Sequence, residues 1–161
     1  MTVPPGALDP VIHHRPLDGM QAKFSLEYAV AVALLDRRVG LASFTDERVG
    51  RADVQRLLRT VHPSAAPVPP VGEPRWEHFF AAVVTVRTAT ADLRIRVDHP
   101  AGHAHRPLSE AHLRAKFVDC LDGADIHPGT VEDGYHALRT LRTRPSARAV
   151  LEVLTGATAD R

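Results

Sequence analysis

The chain has 161 residues, with 20 basic and 19 acidic side chains and a formal net charge of +1, which is long enough for one domain with a real core. So even a balance argues against sequence-independent nucleic-acid binding, which draws on a concentrated basic excess. The longest apolar run, Tyr28 to Leu35, is far short of the roughly 20 residues that cross a bilayer, so no membrane partner is expected.

The opening segment MTVPPGALDP lacks a basic n-region and an apolar h-region, so no signal peptide is expected. Cys120 is the single cysteine, which excludes an internal disulfide and a Cys-based zinc site; a cytoplasmic protein is the expectation. Residues 1–7 read as a flexible leader and Leu8 to His14 as a short strand stopped at Arg15-Pro16. A helix follows over about Gln21 to Arg37, ended by Gly40. Its start is open: Asp18 with Gln21 fits a capping box, and Ser25, just before the apolar run, is an equally good N-cap.

Phe44-Thr45-Asp46 leads into a second helix over Ala52 to Val61, with Val54, Leu57, Leu58 and Val61 toward the core. The five prolines between His62 and Pro74 require a loop. Phe79 to Arg87 and Leu93 to Asp98 read as a hairpin. The alternation of Leu93, Ile95 and Val97 with Arg94, Arg96 and Asp98 predicts one buried and one wet face. Ser109 caps a helix over Glu110 to Leu121, and two more are expected over Val131 to Thr143 and Ala147 to Leu154, with Pro145 between them. This order predicts an α+β fold, a small antiparallel sheet with helices packed on one face. The domain is expected over 8–155, with 156–161 as a tail.

Only two of the basic residues are lysines, Lys23 and Lys116, and each sits in Ala-Lys-Phe. Near Lys23, a helix that is apolar on nearly every side is expected to be buried on nearly every side. The small sheet covers one face, which leaves the other for a further surface such as a second subunit. With Ser25 as N-cap, its hydroxyl, the first free N–H groups and Tyr28, three residues on, share one positive helix end that suits carboxylates or phosphates. The plainer alternative makes Tyr28 a core residue, Ser25 only a cap, and Lys23 solvated or paired with Glu27.

Ten histidines raise a metal question. His99, His103 and His105 share the loop DHPAGHAH, and His13 and His14 are adjacent. Neither grouping has the spacing of a zinc site on a defined element, so no metal is expected. Arg94 and Arg96 suit a solvated edge strand, and His136 with Arg139 a helix surface. No Gly-rich phosphate loop, nucleophile elbow or Cys/His pair is present.

The stretches MQAKFSLEYAVAVALLD, VGLASFTDERVGRADVQRLLRTV and GHAHRPLSEAHLRAKF resemble, in order, the C-terminal domain of the MmgE/PrpD family, which includes 2-methylcitrate dehydratases and cis-aconitate decarboxylases. The resemblance runs from about Leu8 to Leu154. It implies a cofactor-independent lyase acting on small di- or tricarboxylates, in which a large helical domain supplies most catalytic groups and the smaller α+β domain closes over the site. It carries over Tyr28 as an active-site hydroxyl, with Lys23 and Ser25 lining the cleft as substrate-binding residues. Lys116 is expected on a helix surface.

The chain is expected to start just before the C-terminal domain, without the helical one. The expectation is therefore the small subunit of a split lyase, its active site completed by a separately encoded helical chain. A non-catalytic interaction or remnant domain, and a repurposed homodimeric enzyme of secondary metabolism, are the alternatives.

Overall fold

The computed structural model describes residues 1–67, 81–121, 128–143 and 146–155. The chain divides into two compact units, Met1–Pro107 and Leu108–Arg161. The first is α+β, as the sequence predicts.

In chain order the first unit contains β1 (Thr2–Val3), α1 (Gly19–Ala22), α2 (Leu26–Asp36), a 3-10 turn (Leu41–Phe44), α3 (Asp46–Val49), α4 (Ala52–Leu58), β2 (Ser64–Ala65), β3 (Ala82–Arg87) and β4 (Asp92–Val97). The strands form one sheet in the order β2-β1-β3-β4. β1 runs antiparallel to β3, and β3 to β4, from Ala82 opposite Val97 to Arg87 opposite Asp92. β1 and β2 are parallel, so the sheet is mixed rather than wholly antiparallel. The expected leader is thus partly structural, because Thr2 and Val3 supply an inner strand. Leu8 to His14 form no strand. Successive turns occupy that region, with Ala7 N–H donating to Pro4, Asp9 to Gly6 and Val11 to Leu8, and Gly6 at φ 84°.

The helix expected over Gln21 to Arg37 is two helices, and both candidate caps are used. The Asp18 carboxylate accepts from Gln21 N–H at 2.8 Å and opens α1. Ser25 lies in extended backbone, φ −125° and ψ 114°, which breaks the run and opens α2. α2 ends at Arg37, in the left-handed region at φ 57°, three residues before the expected stop at Gly40.

The core gathers Tyr28, Ala31 and Val32 of α2, Val49 of α3, and Val54 and Leu58 of α4, with Phe44 and Leu57 packed against them. Burying apolar area of this kind is the main favourable term in folding. Helix α2 is sealed only over its first half: Leu34 and Leu35 are exposed, where burial on nearly every side was expected. A cleft of about 450 Å³ separates Val30 and Leu34 from Val84 and Val86 of β3.

β4 departs further from its pattern. Leu93 and Ile95 are 62% and 61% exposed, and Arg94 and Arg96 are exposed too. The alternation is present, yet neither face of this part of the strand is buried. β4 is an edge strand, and an apolar stripe becomes buried only when another layer covers it.

The second unit contains α5 (Glu110–Leu121), α6 (Pro128–Arg139), a 3-10 turn (Leu141–Thr143) and α7 (Ala147–Thr155). Ser109 Oγ accepts from His112 N–H at 3.3 Å, the predicted cap. Packing centres on buried Gly134: a Cβ there would lie 2.6 Å from Leu154 Cδ2 and 3.6 Å from the Phe117 ring. Phe79, Pro145 and the tail 156–161 lie outside the described residues.

Candidate active site

The start of α2 brings together two of the three residues singled out from the sequence. Ser25, 2% exposed, accepts from the Tyr28 backbone N–H at 3.2 Å and so satisfies one free donor of the first turn. The Tyr28 side chain runs into the core, its ring tilted against Phe44 with centroids 5.8 Å apart. Its hydroxyl donates to the backbone carbonyl of Ser43 in the 3-10 turn. Lys23 is exposed at the C-cap of α1, its N–H shared between the Gly19 and Met20 carbonyls.

Burial pushes the Tyr28 phenol above its ordinary range; Arg51 opposes that shift, Asp36 adds to it, and Arg48 opposes it. At neutral pH the group is therefore a protonated donor, and its chemistry is that of an acid or hydrogen-bond donor rather than a base. Arg51 is fixed by two carboxylates. It meets Asp36 through two bonds of 2.8 and 2.7 Å and Asp53 through two of 3.1 and 2.7 Å. Its hydrogen bonds to Asp53 and then Asp36 raise its own pKa, and the bond from Arg51 holds Asp53 below the usual carboxylate range. A permanent cation is thus positioned within electrostatic reach of the phenol.

Ser43, Arg48 and Arg51 were not singled out from the sequence. The link from Tyr28 to a carbonyl in another element has no local signal. Lys116, in the second Ala-Lys-Phe, lies exposed on α5.

The loop histidines do assemble. The rings of His99, His103 and His105 lie 4.5, 5.0 and 5.4 Å apart, and the first two are stacked with planes 5° apart. His103 Nδ1 accepts from His105 N–H at 3.2 Å. Desolvation, followed by the charges of His99 and His105, lowers the His103 pKa. Among the described residues no group of three or more His, Cys, Asp or Glu is arranged to hold a metal ion. Nor is any helix among them long and apolar enough to cross a membrane.

Comparison with known proteins adds a family frame. Residues 1–126 match the family model of the MmgE/PrpD C-terminal domain. Cis-aconitate decarboxylase of Mus musculus is 31% identical over 98 residues, 60% of this chain and 19% of that protein. Its Homo sapiens counterpart is 28% identical over 102 residues, 63% of this chain and 21% of that protein. The chain thus spans about a fifth of the length of these curated relatives.

Proposed function

The chain belongs to the MmgE/PrpD C-terminal domain family, and from that premise we propose that it is the small part of a cofactor-independent lyase acting on a small di- or tricarboxylate. A separately encoded helical chain completes the active site. The names of both relatives favour loss of CO2 over loss of water. The absence of any helix long and apolar enough to cross a membrane among the described residues, and a lone cysteine, suit a cytoplasmic enzyme.

The observation that carries this reading is the buried Tyr28 hydroxyl, a proton donor at neutral pH that bonds the Ser43 carbonyl within the field of Arg51 and Arg48. When CO2 leaves a polycarboxylate, an electron pair stays on the adjacent carbon or spreads onto a carboxylate oxygen. A phenol at that point donates a hydrogen bond or its proton to the developing anion. To act, Tyr28 must exchange its bond to the Ser43 carbonyl for one to the substrate. Lys23 and Ser25 take the substrate-binding roles: Lys23 as a point charge for a carboxylate, and Ser25 as a hydroxyl at the positive end of α2.

The test is co-purification of the tagged chain from its host, followed by measurement of CO2 release from cis-aconitate by whatever complex is recovered. A stoichiometric helical partner and turnover are expected. Tyr28→Phe should then cut kcat by about 10²-fold or more, the scale of a lost acid or oxyanion donor, with assembly intact. An unchanged rate would remove Tyr28 from the mechanism, and a chain recovered alone would end the split-lyase reading.

A second reading, a module that self-associates, is favoured by the bare Leu93 and Ile95 on edge strand β4. It predicts a homo-oligomer that Ile95→Lys dissociates.

A further inference from the structure

Strand β4 is last in the sheet order β2-β1-β3-β4, so the backbone groups along its outer side meet no further strand among the described residues. With the residue that follows it, the strand reads Asp92-Leu93-Arg94-Ile95-Arg96-Val97-Asp98. Charged and apolar residues come in the same order from either end, so an inverted copy of the strand lies beside it with both faces matched. Leu93, Ile95 and Val97 share a face with Val86, Val84 and Ala82, their partners in β3, and Leu93 and Ile95 are exposed on it. An open edge with a bare apolar stripe is a template for another strand.

The charges on the opposite face select the register. Arg96 Nε donates to Asp98 Oδ1 at 2.6 Å, which leaves Asp98 Oδ2 open to a second donor. Arg94 is exposed and has no ion pair among the described residues. Three central registers keep apolar residues opposite apolar ones. With Ile95 opposite Ile95 of a second copy, Arg94 faces Arg96 and Asp92 faces Asp98, so like charges oppose throughout. With Ile95 opposite Leu93, Asp92 faces an Arg96 that already has a carboxylate, and two unpaired Arg94 side chains meet on the twofold axis. With Ile95 opposite Val97, Arg94 faces Asp98 on both sides of the axis. The axis then holds the two Arg96 side chains, each already bonded to its own Asp98. Opposite charges stabilise a cross-strand pair and like charges weaken it, which favours this last register.

We propose that β4 pairs antiparallel with β4 of a second copy of this chain, Ile95 opposite Val97 and Arg94 opposite Asp98, so that two sheets join into one. The proposal rests on the self-association reading above and gives it a surface and a register.

The experiment is sedimentation of the full chain over a range of concentrations, with charge-reversal variants beside it. A dimer is expected. Arg94→Asp and Asp98→Arg should each weaken it by about tenfold or more, because each turns two attractive contacts into repulsive ones. The double variant should return to within about threefold of the natural chain, with circular dichroism confirming the fold of all three. A second arm needs no charge reversal. With the exposed Cys120 replaced by serine, Arg96→Cys should oxidise to a linked dimer, since directly opposite Cα atoms lie within about 5.5 Å. Arg94→Cys, four residues out of line with its own copy, should not link. A monomer at every concentration would overturn both the pairing and the self-association reading. A dimer that the reversals leave intact, that the double variant does not restore, or that links through Arg94→Cys instead would overturn the pairing alone and leave association through another register or surface.

Discussion

The two units carry the same tripeptide, and they use it differently. In Ala22-Lys23-Phe24 the alanine is 1% exposed and the phenylalanine 45% exposed; the tripeptide ends α1 and hands the chain to the Ser25 cap. In Ala115-Lys116-Phe117 the alanine is exposed, and the phenylalanine turns inward to meet Tyr135, with ring centroids 5.5 Å apart. The surroundings differ in kind as well. The first unit closes on a cluster of fully buried side chains. In the second, the buried hydrophobic side chains among the described residues are Ala137 and Val150, and its visible ties include surface ion pairs such as Arg114–Glu132 and Arg148–Glu152. Identical local sequence therefore does not set burial; the element facing it does. The first unit should be sensitive to changes of volume, and the second to little that happens on its surface.

Substitutions can break or sharpen that contrast. The largest effect is expected at Gly19, whose added Cβ would sit 1.9 Å from the Phe44 carbonyl oxygen, a backbone atom that no rotamer can move away. Its N–H also donates to Asp46 Oδ1 at 2.8 Å. Gly19→Ala should cost about 4 kcal/mol, read by urea unfolding, the upper range for forced overpacking. Next comes Leu58→Ala, which empties a side chain 2% exposed and should cost about 3 kcal/mol. A loss below about 1 kcal/mol at either position would mean that the first unit is not packed as described.

A gentler effect is expected from pH. His103 binds a proton less readily in the folded chain than in the unfolded one. Its contribution to stability is therefore complete above the ordinary histidine pKa, near 6.5, and is lost as pH falls from there toward its folded value. The melting temperature should drift downward over that window, and His103→Gln should flatten the drift; an identical slope in the variant would mean that the stacked rings do not couple to folding. The smallest effect is expected at Glu132→Gln, which removes the charge facing Arg114 across a pair more than half exposed on both sides. Unfolding should not change measurably, and a clear loss would show that the second unit depends on its surface after all.

Features with a local cause were legible in the sequence. Ser109 announces α5, and Asp18 and Ser25 each mark a helix start; the structure resolves the choice between the last two by using both. Two-residue strands such as β1 and β2 are too short to show a period, and so Thr2 and Val3 passed for a leader. The pattern of β4 was correct as an alternation, but burial is settled by a covering layer that one strand does not encode. The site divides in the same way. Ser25 and Tyr28 are neighbours within one turn, and a family pattern points to them. Ser43, Arg48 and Arg51 reach the phenol only through the fold. Glu27 passed as a partner for Lys23, because nothing local shows that its side chain turns inward to His14.

The placement of β1 has a consequence in time. Thr2 pairs with both Ser64 and Val83, so a residue ahead of α2 in the chain must wait for residues well after α4 before its strand exists. The cluster around α2 and α4 closes over much shorter stretches of chain, and closing a loop costs more entropy as the loop lengthens. Folding should therefore run from the helices outward, with the sheet arriving last and its first strand held open until β3 has emerged.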